Sequence, residues 1–450
     1  MTESSSATAG PERGVAGTPT AGSTILVLYF AERAPLRTAI ADHLYSFGRY
    51  AGRPVIYLNL AVRGIPRWID RLDIGLVVFH TILLAPRWHP AAFAEVTRRA
   101  RPVRRLRARR VAIPQDEFIQ TDLLGEFLRE FGVDHVFTCA PESDWPAIYG
   151  DQVARGVTLS RVLTGYLDPG TVTHIEALAR DAGPRTIDVG YRAWRPEYWL
   201  GRHGLLKGRI AEVFAERSAA HGLRADISLR EEDTLLGDDW GRFLLRSRWT
   251  IGVEGGASLL DRDGTLRTRT LEYQAVHPGA TFEEVEAACF PGRDGSLRLF
   301  AISPRHLEAA AARTAQVLVE GEYNGILEAG VHYLAVRPDF SDVDAVLGRL
   351  SDEGLRASLT ERTWHDVVAS GRYDYASFVQ NVVGEALAGR PGSILSRCLI
   401  AWEQRLDAPS WYLVRARYRL KPLLRRTLER TGLLQPLVRL RARARGRAEG

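Results

Sequence analysis

The first apolar run of the chain reads Thr24-Ile-Leu-Val-Leu-Tyr-Phe30. A strand of this composition is typical of a sheet that is covered on both faces. The following segment, Pro35 to Tyr50, carries apolar residues at helical spacing. A buried strand that leads into an amphipathic helix predicts the start of a βαβ unit, with a parallel sheet built by right-handed crossovers.

The same alternation recurs along the chain and divides it into two lobes. We predict an N-terminal Rossmann-like lobe at 23–165, a hinge at 166–183 and a C-terminal Rossmann-like lobe at 184–390. Residues 1–22 are rich in Ser, Thr, Gly and Ala and are predicted to be a disordered tail. Residues 391–450 are predicted to be a helical, Arg-rich tail. The fold class is therefore α/β, with two doubly wound lobes and a cleft between their carboxyl edges.

Composition limits the classes of function. Apolar residues make up 45% and charged residues 25% of the chain, as in ordinary globular proteins. The three cysteines lie far apart and argue against a disulfide framework or a cysteine zinc site. Residues 411–450 hold 12 Lys+Arg and 2 Asp+Glu, so the rest of the chain has a net charge of −4. A basic tail on an acidic body disfavours nucleic acid and predicts an anionic membrane surface as partner, although a solvated tail is the alternative.

Several catalytic signatures are absent from the sequence. The first strand-helix turn lacks Gly-x-Gly-x-x-Gly, which disfavours a dinucleotide-dependent dehydrogenase. The chain also lacks a phosphate-binding Walker motif, a Gly-x-Ser-x-Gly nucleophile elbow and a His-Glu-x-x-His zinc motif. Asp261-Arg-Asp263-Gly264 resembles an Asp-x-Asp metal motif, but this composition is also ordinary turn chemistry. We predict no metal site and no cofactor.

Basic residues follow the first strand of the second lobe. Arg192 ends this strand, and Arg202 and Lys207 come before a helix predicted at Gly208 to His221. Guanidinium and ammonium groups near a helix start bind phosphate, so these three are candidates to hold a diphosphate. Surface arginines that are merely solvated are the alternative. Lys207 is the more specific signal, because Lys421 is the only other lysine.

A second candidate region opens a later helix of the same lobe. Ser303 is a suitable N-cap, Arg305 follows it, and Glu308 lies about one turn into the helix. A carboxylate at Glu308 can accept both hydroxyls of a ribose. The alternative is a carboxylate that the helix N-terminus favours electrostatically.

Two glycine-containing turns follow predicted strands, where loops of an open sheet bind ligands. One reads Glu254-Gly255-Gly256, and the other reads Tyr323-Asn324-Gly325. Both are candidates for the donor site, and tight structural turns are the alternative.

The first lobe supplies four candidates for the base that deprotonates an acceptor hydroxyl. His80 ends the third predicted strand, Asp116 and Glu117 follow the fourth, and Glu142 follows the fifth. Each also has a structural interpretation, such as capping a helix or filling the interior.

The second lobe resembles the donor domain of GT-B glycosyltransferases of the group-1 and spore-maturation (CgeB-like) type. The resemblance rests on Val189-Gly-Tyr-Arg192 with Lys207, Pro304-Arg305-His-Leu-Glu308-Ala, the strand Gln316 to Glu320, Tyr323-Asn324-Gly325 and the stretch Arg362 to Tyr375. Residues 24–390 also resemble bacterial proteins associated with surface polysaccharides.

This resemblance implies a metal-independent transfer of sugar from a nucleotide-diphospho-sugar to a hydroxyl of a carbohydrate or lipid-linked acceptor. Arg192 and Lys207 would then neutralise the diphosphate, and Glu308 would bind the ribose. We expect a cytoplasmic protein, peripheral on the inner face of the plasma membrane. The alternatives are an epimerase-like or non-catalytic nucleotide-sugar-binding protein and a membrane-associated assembly factor.

Overall fold

The computed structural model describes residues 24–32 and 36–387. The two predicted tails, 1–22 and 391–450, lie outside the described residues. Within the described ranges, no helix is both long enough and apolar enough to cross a bilayer.

The first sheet has six strands, all of them parallel, in the order β2-β1-β3-β4-β5-β6. Its strands are β1 Thr24–Tyr29, β2 Val55–Asn59, β3 Ile74–Phe79, β4 Arg109–Ala112, β5 His135–Thr138 and β6 Thr158–Arg161. The helices that connect them are α1 Thr38–Tyr50, α2 Thr81–Leu84, α3 Pro90–Ala100, α4 Thr121–Glu130 and α5 Trp145–Ala154.

The second sheet has five parallel strands, and a small antiparallel pair accompanies it. The strands are β7 Ile187–Arg192, β8 Ala225–Ser228, β9 Ser247–Gly252, β10 Gly255–Ala257, β11 Leu299–Ala301, β12 Ala315–Val319 and β13 Leu334–Val336. The helices are α6 Pro169–Arg180, α7 Gly201–Arg217, α8 Asp238–Arg246, α9 Thr265–Val276, α10 Phe282–Cys289, α11 Pro304–Ala311, α12 Val343–Gly348, α13 Glu353–Thr363 and α14 Tyr375–Ala386.

The two large sheets share one topology. The second sheet has the order β13-β12-β9-β7-β8, which repeats the arrangement of the first five strands of the first sheet. In both sheets the strand order reverses beside the first strand, between β1 and β3 and between β7 and β9. Ligands of open α/β sheets bind at such reversal points, beyond the carboxyl ends of the strands. The predicted fold of two doubly wound α/β lobes is confirmed.

The pleat of β1 shows why both faces of the first sheet are covered. Leu26 and Leu28 belong to one buried cluster, and Ile25, Val27 and Tyr29 belong to another on the opposite face. All five side chains are fully buried. Because successive residues of a strand point to opposite faces, this continuous apolar run fills two cores at once.

Helix α14 returns to the first lobe at the end of the described chain. It packs on α1, and its buried residues Phe378, Val379 and Val382 join the cluster that contains Val27 of β1. This packing differs from the predicted division, which places residues up to 390 in the second lobe. The apolar face of α14 covers a face of the first sheet. The predicted hinge at 166–183 includes helix α6.

A segment between β9 and β11 also crosses to the first lobe. The Gln120 N–H donates to Asp261 O and the Asp261 N–H donates to Phe118 O, both at 2.8 Å. The Arg298 N–H donates to the carboxylate of Asp144 at 2.9 Å. Residues of this segment therefore join the two lobes by backbone hydrogen bonds in addition to side-chain packing.

Candidate functional site

The carboxyl ends of the two sheets face each other across a crevice. On one side the Thr164 hydroxyl of the first lobe donates to Ile302 O of the second lobe at 2.7 Å. On another side the Arg37 guanidinium, just before α1, lies 4.8 Å from the ring centroid of Trp194, just after β7. The crevice therefore lies where both sheets have their ligand-binding edge.

Lys207 projects from α7 into this crevice. The helix begins at Gly201 rather than at the predicted Gly208, so Arg202 and Lys207 are helical residues. Lys207 is half-buried, and within the described part of the chain no carboxylate oxygen lies within 4.0 Å of its ammonium group. Burial and the neighbouring Arg305 lower the pKa of Lys207, while Asp116 of the first lobe raises it.

Arg305 is the second cation of the crevice. It is the second residue of α11, and it donates to Arg192 O, at the end of β7, at 2.6 Å. Its guanidinium lies 5.8 Å from the ring centroid of Trp240. As with Lys207, no described carboxylate lies within ion-pair distance of it. Two cations without an ion-pair partner among the described residues therefore lie beside the point where the second sheet reverses its strand order.

The other two predicted phosphate-binding arginines are held by carboxylates. Arg192 forms an ion pair with Asp226 at 2.7 Å, and its guanidinium lies 4.5 Å from the Phe243 ring centroid. Arg202 pairs with Glu283 at 2.9 Å and with Glu286 at 2.8 Å. The structure thus brings Lys207 together with Arg305 and leaves Arg192 and Arg202 in local ion pairs.

Glu254 organises the loop after β12 and lies inside the protein. Its carboxylate accepts the Tyr323 N–H at 2.7 Å and the Glu322 N–H at 3.3 Å. Burial raises the pKa of Glu254, and these hydrogen bonds oppose that effect. Tyr323, Asn324 and Gly325 have φ angles of 42°, 55° and 71°, a left-handed turn that costs free energy in the two residues with side chains. Glu254 holds this turn in place.

Two further contacts tie the same turn to the start of α11. The Ile302 N–H donates to the Asn324 side-chain oxygen at 2.7 Å, and the Ser303 N–H donates to His306 Nδ1 at 3.0 Å. Burial lowers the pKa of His306 to about 3, so its imidazole is neutral and can accept this bond. The beginning of α11, which carries Arg305, is therefore fixed by a buried network.

Gly255 and Gly256 have a structural role in β10. A Cβ atom at Gly256, whose φ is 119°, would lie 1.8 Å from Leu299 O on the paired strand β11. The glycine is required for the close approach of two strands.

Glu308 lies one turn after Arg305 on the same helix. One oxygen of its carboxylate accepts the Trp240 indole N–H at 2.8 Å. Burial raises the pKa of Glu308. Trp240 thus contacts both predicted donor-binding residues of α11, and the second carboxylate oxygen has no hydrogen bond among the described residues.

Asp116 is the first-lobe residue that faces the two cations. Its side chain is accessible to solvent, yet the surrounding protein raises its pKa, while Arg87 and Lys207 lower it. Its φ of 56° is left-handed, which is uncommon for a residue with a side chain. The fully buried Arg87 holds this conformation by donating to Gln115 O and Asp116 O, at 2.5 Å each. Arg87 has no recognisable sequence signal.

The other three candidate bases are placed differently. Glu117 is fully buried, and His80 is 1% exposed and lies 2.8 Å from His43, ring nitrogen to ring nitrogen. Burial lowers the pKa of both histidines. Glu142 is exposed at the start of a short 3₁₀ turn, and none of the described contacts connects it to the second lobe. Asp116 alone is brought next to Lys207.

Comparisons with known proteins give distant matches. No protein-family model and no curated protein sequence matches the chain. A structure of HepE from Anabaena in complex with UDP and glucose is 11% identical, with 81% of this chain and 99% of that chain covered and a TM-score of 0.41. The DNA-modifying enzyme β-glucosyltransferase is 11% identical, with 81% and 99% covered and a TM-score of 0.42.

A third structure, of OtsA without ligand, is 13% identical, with 82% of this chain and 100% of that chain covered and a TM-score of 0.41. At these identities and TM-scores the similarities establish neither the fold nor the function, which rest on the strand order and on the contacts described above.

Proposed function

We propose that the protein is a glycosyltransferase of the GT-B type that moves a sugar from a nucleotide-diphospho-sugar to a hydroxyl acceptor. One observation carries the proposal. Lys207 and Arg305 lie at the carboxyl edge of the second sheet without an ion-pair partner among the described residues, opposite the accessible carboxylate of Asp116 from the first lobe. Cations suit a diphosphate, and the carboxylate suits a hydroxyl that must lose a proton.

Each side chain has a distinct part in the proposed reaction. Lys207 and Arg305 stabilise the negative charge that develops on the diphosphate as the bond to the sugar breaks. The free oxygen of Glu308 accepts a ribose hydroxyl, while Trp240 fixes the other oxygen. Asp116 takes the proton of the acceptor hydroxyl, and its raised pKa makes it a stronger base than an ordinary aspartate. In this proposal the two cations supply the charge stabilisation, and no metal ion is required.

The cellular setting is also part of the proposal and rests on the sequence. The resemblance of residues 24–390 to bacterial proteins associated with surface polysaccharides supports surface polysaccharide or glycolipid synthesis on the cytoplasmic face of the membrane. The composition of 411–450 supports attachment to anionic lipid. Equal flotation of the full chain and of residues 1–410 with anionic vesicles would refute membrane attachment through 411–450. It would leave the proposed transferase function untouched.

Isothermal titration calorimetry with UDP, GDP and ADP tests the donor site. We expect at least one diphosphate to bind, and Lys207→Ala or Arg305→Ala to weaken it about 10- to 100-fold, because each removes a charge-assisted contact. Arg209→Ala is the matched control, since Arg209 is an exposed cation on the same helix. Unchanged affinity in both crevice variants, with native circular dichroism, would refute the site.

A further inference from the structure

A second site lies on the first lobe, at the edge of the sheet opposite the crevice. A cavity of about 440 Å³ opens there, where β4, β5 and β6 begin. Three arginines line it from three different elements: Arg109 starts β4, Arg129 lies in the last turn of α4, and Arg155 follows α5. The cavity is therefore assembled by the tertiary fold and not by one stretch of sequence.

These three arginines have no acidic ion-pair partner, unlike two of the arginines nearby. In the same region Arg101 pairs with Glu130 at 2.8 Å, and Arg105 pairs with Asp70 at 3.1 Å. Over the described ranges, no carboxylate oxygen lies within 4.0 Å of the guanidinium of Arg109, Arg129 or Arg155. The three arginines that line the cavity are therefore without an ion-pair partner among the described residues.

The remaining lining leaves the cavity positive and open. Its one carboxylate, Asp134, accepts the Arg110 N–H at 2.8 Å. Arg110 is a fourth nearby cation. Its Nη1 lies 3.8 Å from the position that a Cβ atom would take at Gly132, which lines the cavity. No atom lies within 4 Å of the position that a Cβ atom would take at Gly156, so no side chain covers the rim of the cavity there.

A simpler explanation covers only part of this arrangement. The carbonyl groups at the ends of α4 and α5 favour a cation at each helix terminus, which accounts for Arg129 and Arg155 one by one. It does not account for Arg109, which belongs to a strand, or for the open volume that all three residues line. Several arginines on the lining of one open cavity suit a phosphoryl group, because guanidinium groups bind its oxygens through paired N–H donors.

We propose that this cavity is a phosphoryl-binding site, separate from the crevice. The phosphoryl group belongs either to a soluble phosphorylated metabolite or to the headgroup of a phospholipid. Both sources present the same dianionic or monoanionic oxygens to Arg109, Arg129 and Arg155. The proposal does not depend on the proposed transferase function.

Titration with inorganic pyrophosphate tests the site. The background is Lys207→Ala/Arg305→Ala, which suppresses binding in the crevice. We expect saturable binding in this background and a loss of about tenfold or more in affinity when Arg129→Gln and Arg155→Gln are added. Gln is a good helix former, and circular dichroism checks the fold. Arg105→Gln, which changes a paired arginine, is the matched control.

Vesicle flotation of the full chain then separates the two sources. Lower recovery of Arg129→Gln/Arg155→Gln than of Arg105→Gln on vesicles of phosphatidylcholine with phosphatidylglycerol assigns a lipid headgroup. Equal recovery, with pyrophosphate binding lost, assigns a soluble phosphorylated ligand. Absence of saturable pyrophosphate binding in the background protein, or equal affinity with and without Arg129 and Arg155, would overturn the proposal.

Discussion

Replacement of Glu117 by Gln tests whether Glu117 is a buried structural acid, distinct from the neighbouring Asp116, which we propose as the base. Glu117 is fully buried, and one of its oxygens accepts hydrogen bonds from Tyr149 Oη at 3.0 Å, from the Cys139 N–H at 3.1 Å and from the Thr138 hydroxyl. The other oxygen has no partner among the described residues. Burial raises the pKa of Glu117 from 4.5 to about 7, although the hydrogen bonds oppose it.

The sign of the pH dependence follows from this shift. Because the pKa is higher in the folded protein than in the unfolded chain, the folded protein binds the proton more tightly. The associated stability is fully present below pH 4.5 and is lost as the pH rises through about 7. The difference between these two pKa values corresponds to about 3 kcal/mol of unfolding free energy. Glu117→Gln cannot titrate and keeps the shape of the protonated acid.

Urea unfolding of the wild type and of Glu117→Gln at about pH 5 and about pH 8 measures the effect. We expect the wild type to lose about 2.5 kcal/mol relative to the variant between these two pH values, which is most of the full difference. At the lower pH the variant should be less stable by about 1 kcal/mol, because its amide NH₂ occupies the position of the unpartnered oxygen. Parallel pH profiles for the two proteins would refute the reasoning and return Glu117 to the candidate bases.

Two further predictions test the crevice and its framework. Asp116→Asn is expected to lower sugar transfer about 10²- to 10⁴-fold without weakening nucleoside-diphosphate binding, as single-turnover kinetics and calorimetry would show; equal loss of both would argue for a binding role. Gly256→Ala is expected to destabilise the protein by about 3 kcal/mol, because its Cβ would meet Leu299 O, whereas Gly255→Ala, with 3.7 Å to Ala301 O, should change the thermal midpoint little. Similar midpoints for the two alanine variants would contradict this account of the glycine pair.

The strands of the fold follow from the sequence where they are buried on both faces. The strand at Gln316 to Glu320 agrees to within one residue at each end with β12, Ala315–Val319, which is buried throughout. Strand β6 was not predicted, because Thr158 and Arg161 are exposed at the edge of the sheet and its apolar pattern is weak. The apolar pattern in the sequence is therefore clearest in strands that are buried along their whole length.

The start of α7 shows where sequence patterns are insufficient. Gly201 and Gly204 suggested a loop before a helix that begins at Gly208, yet both lie in the helix. Neighbouring side chains occupy the space of a Cβ at each of these two positions. A methyl group at Gly201 would lie 2.3 Å from Ser258 Oγ, a residue distant in the sequence. Tertiary packing of this kind overrides the low helix propensity of glycine.

The candidate site was predicted in part for the same reason. Lys207, Arg305 and Glu308 were identified from their positions near strand and helix ends. The partners that hold Arg192 and Arg202, namely Asp226 and Glu283, lie far away in the sequence, so their ion pairs could not be read from it. In an arginine-rich chain, the arginines without an ion-pair partner can be identified only when the positions of the acidic residues in the fold are known.

Release of nucleoside diphosphate from a panel of nucleotide sugars tests the central claim most directly. The account predicts that the wild type and Arg209→Ala release the diphosphate from at least one donor in the presence of a hydroxyl acceptor. Lys207→Ala/Arg305→Ala should release little or none, because the leaving group loses both cations. A wild type that binds donors and releases no diphosphate from any of them, or equal release by the double variant, would contradict the account.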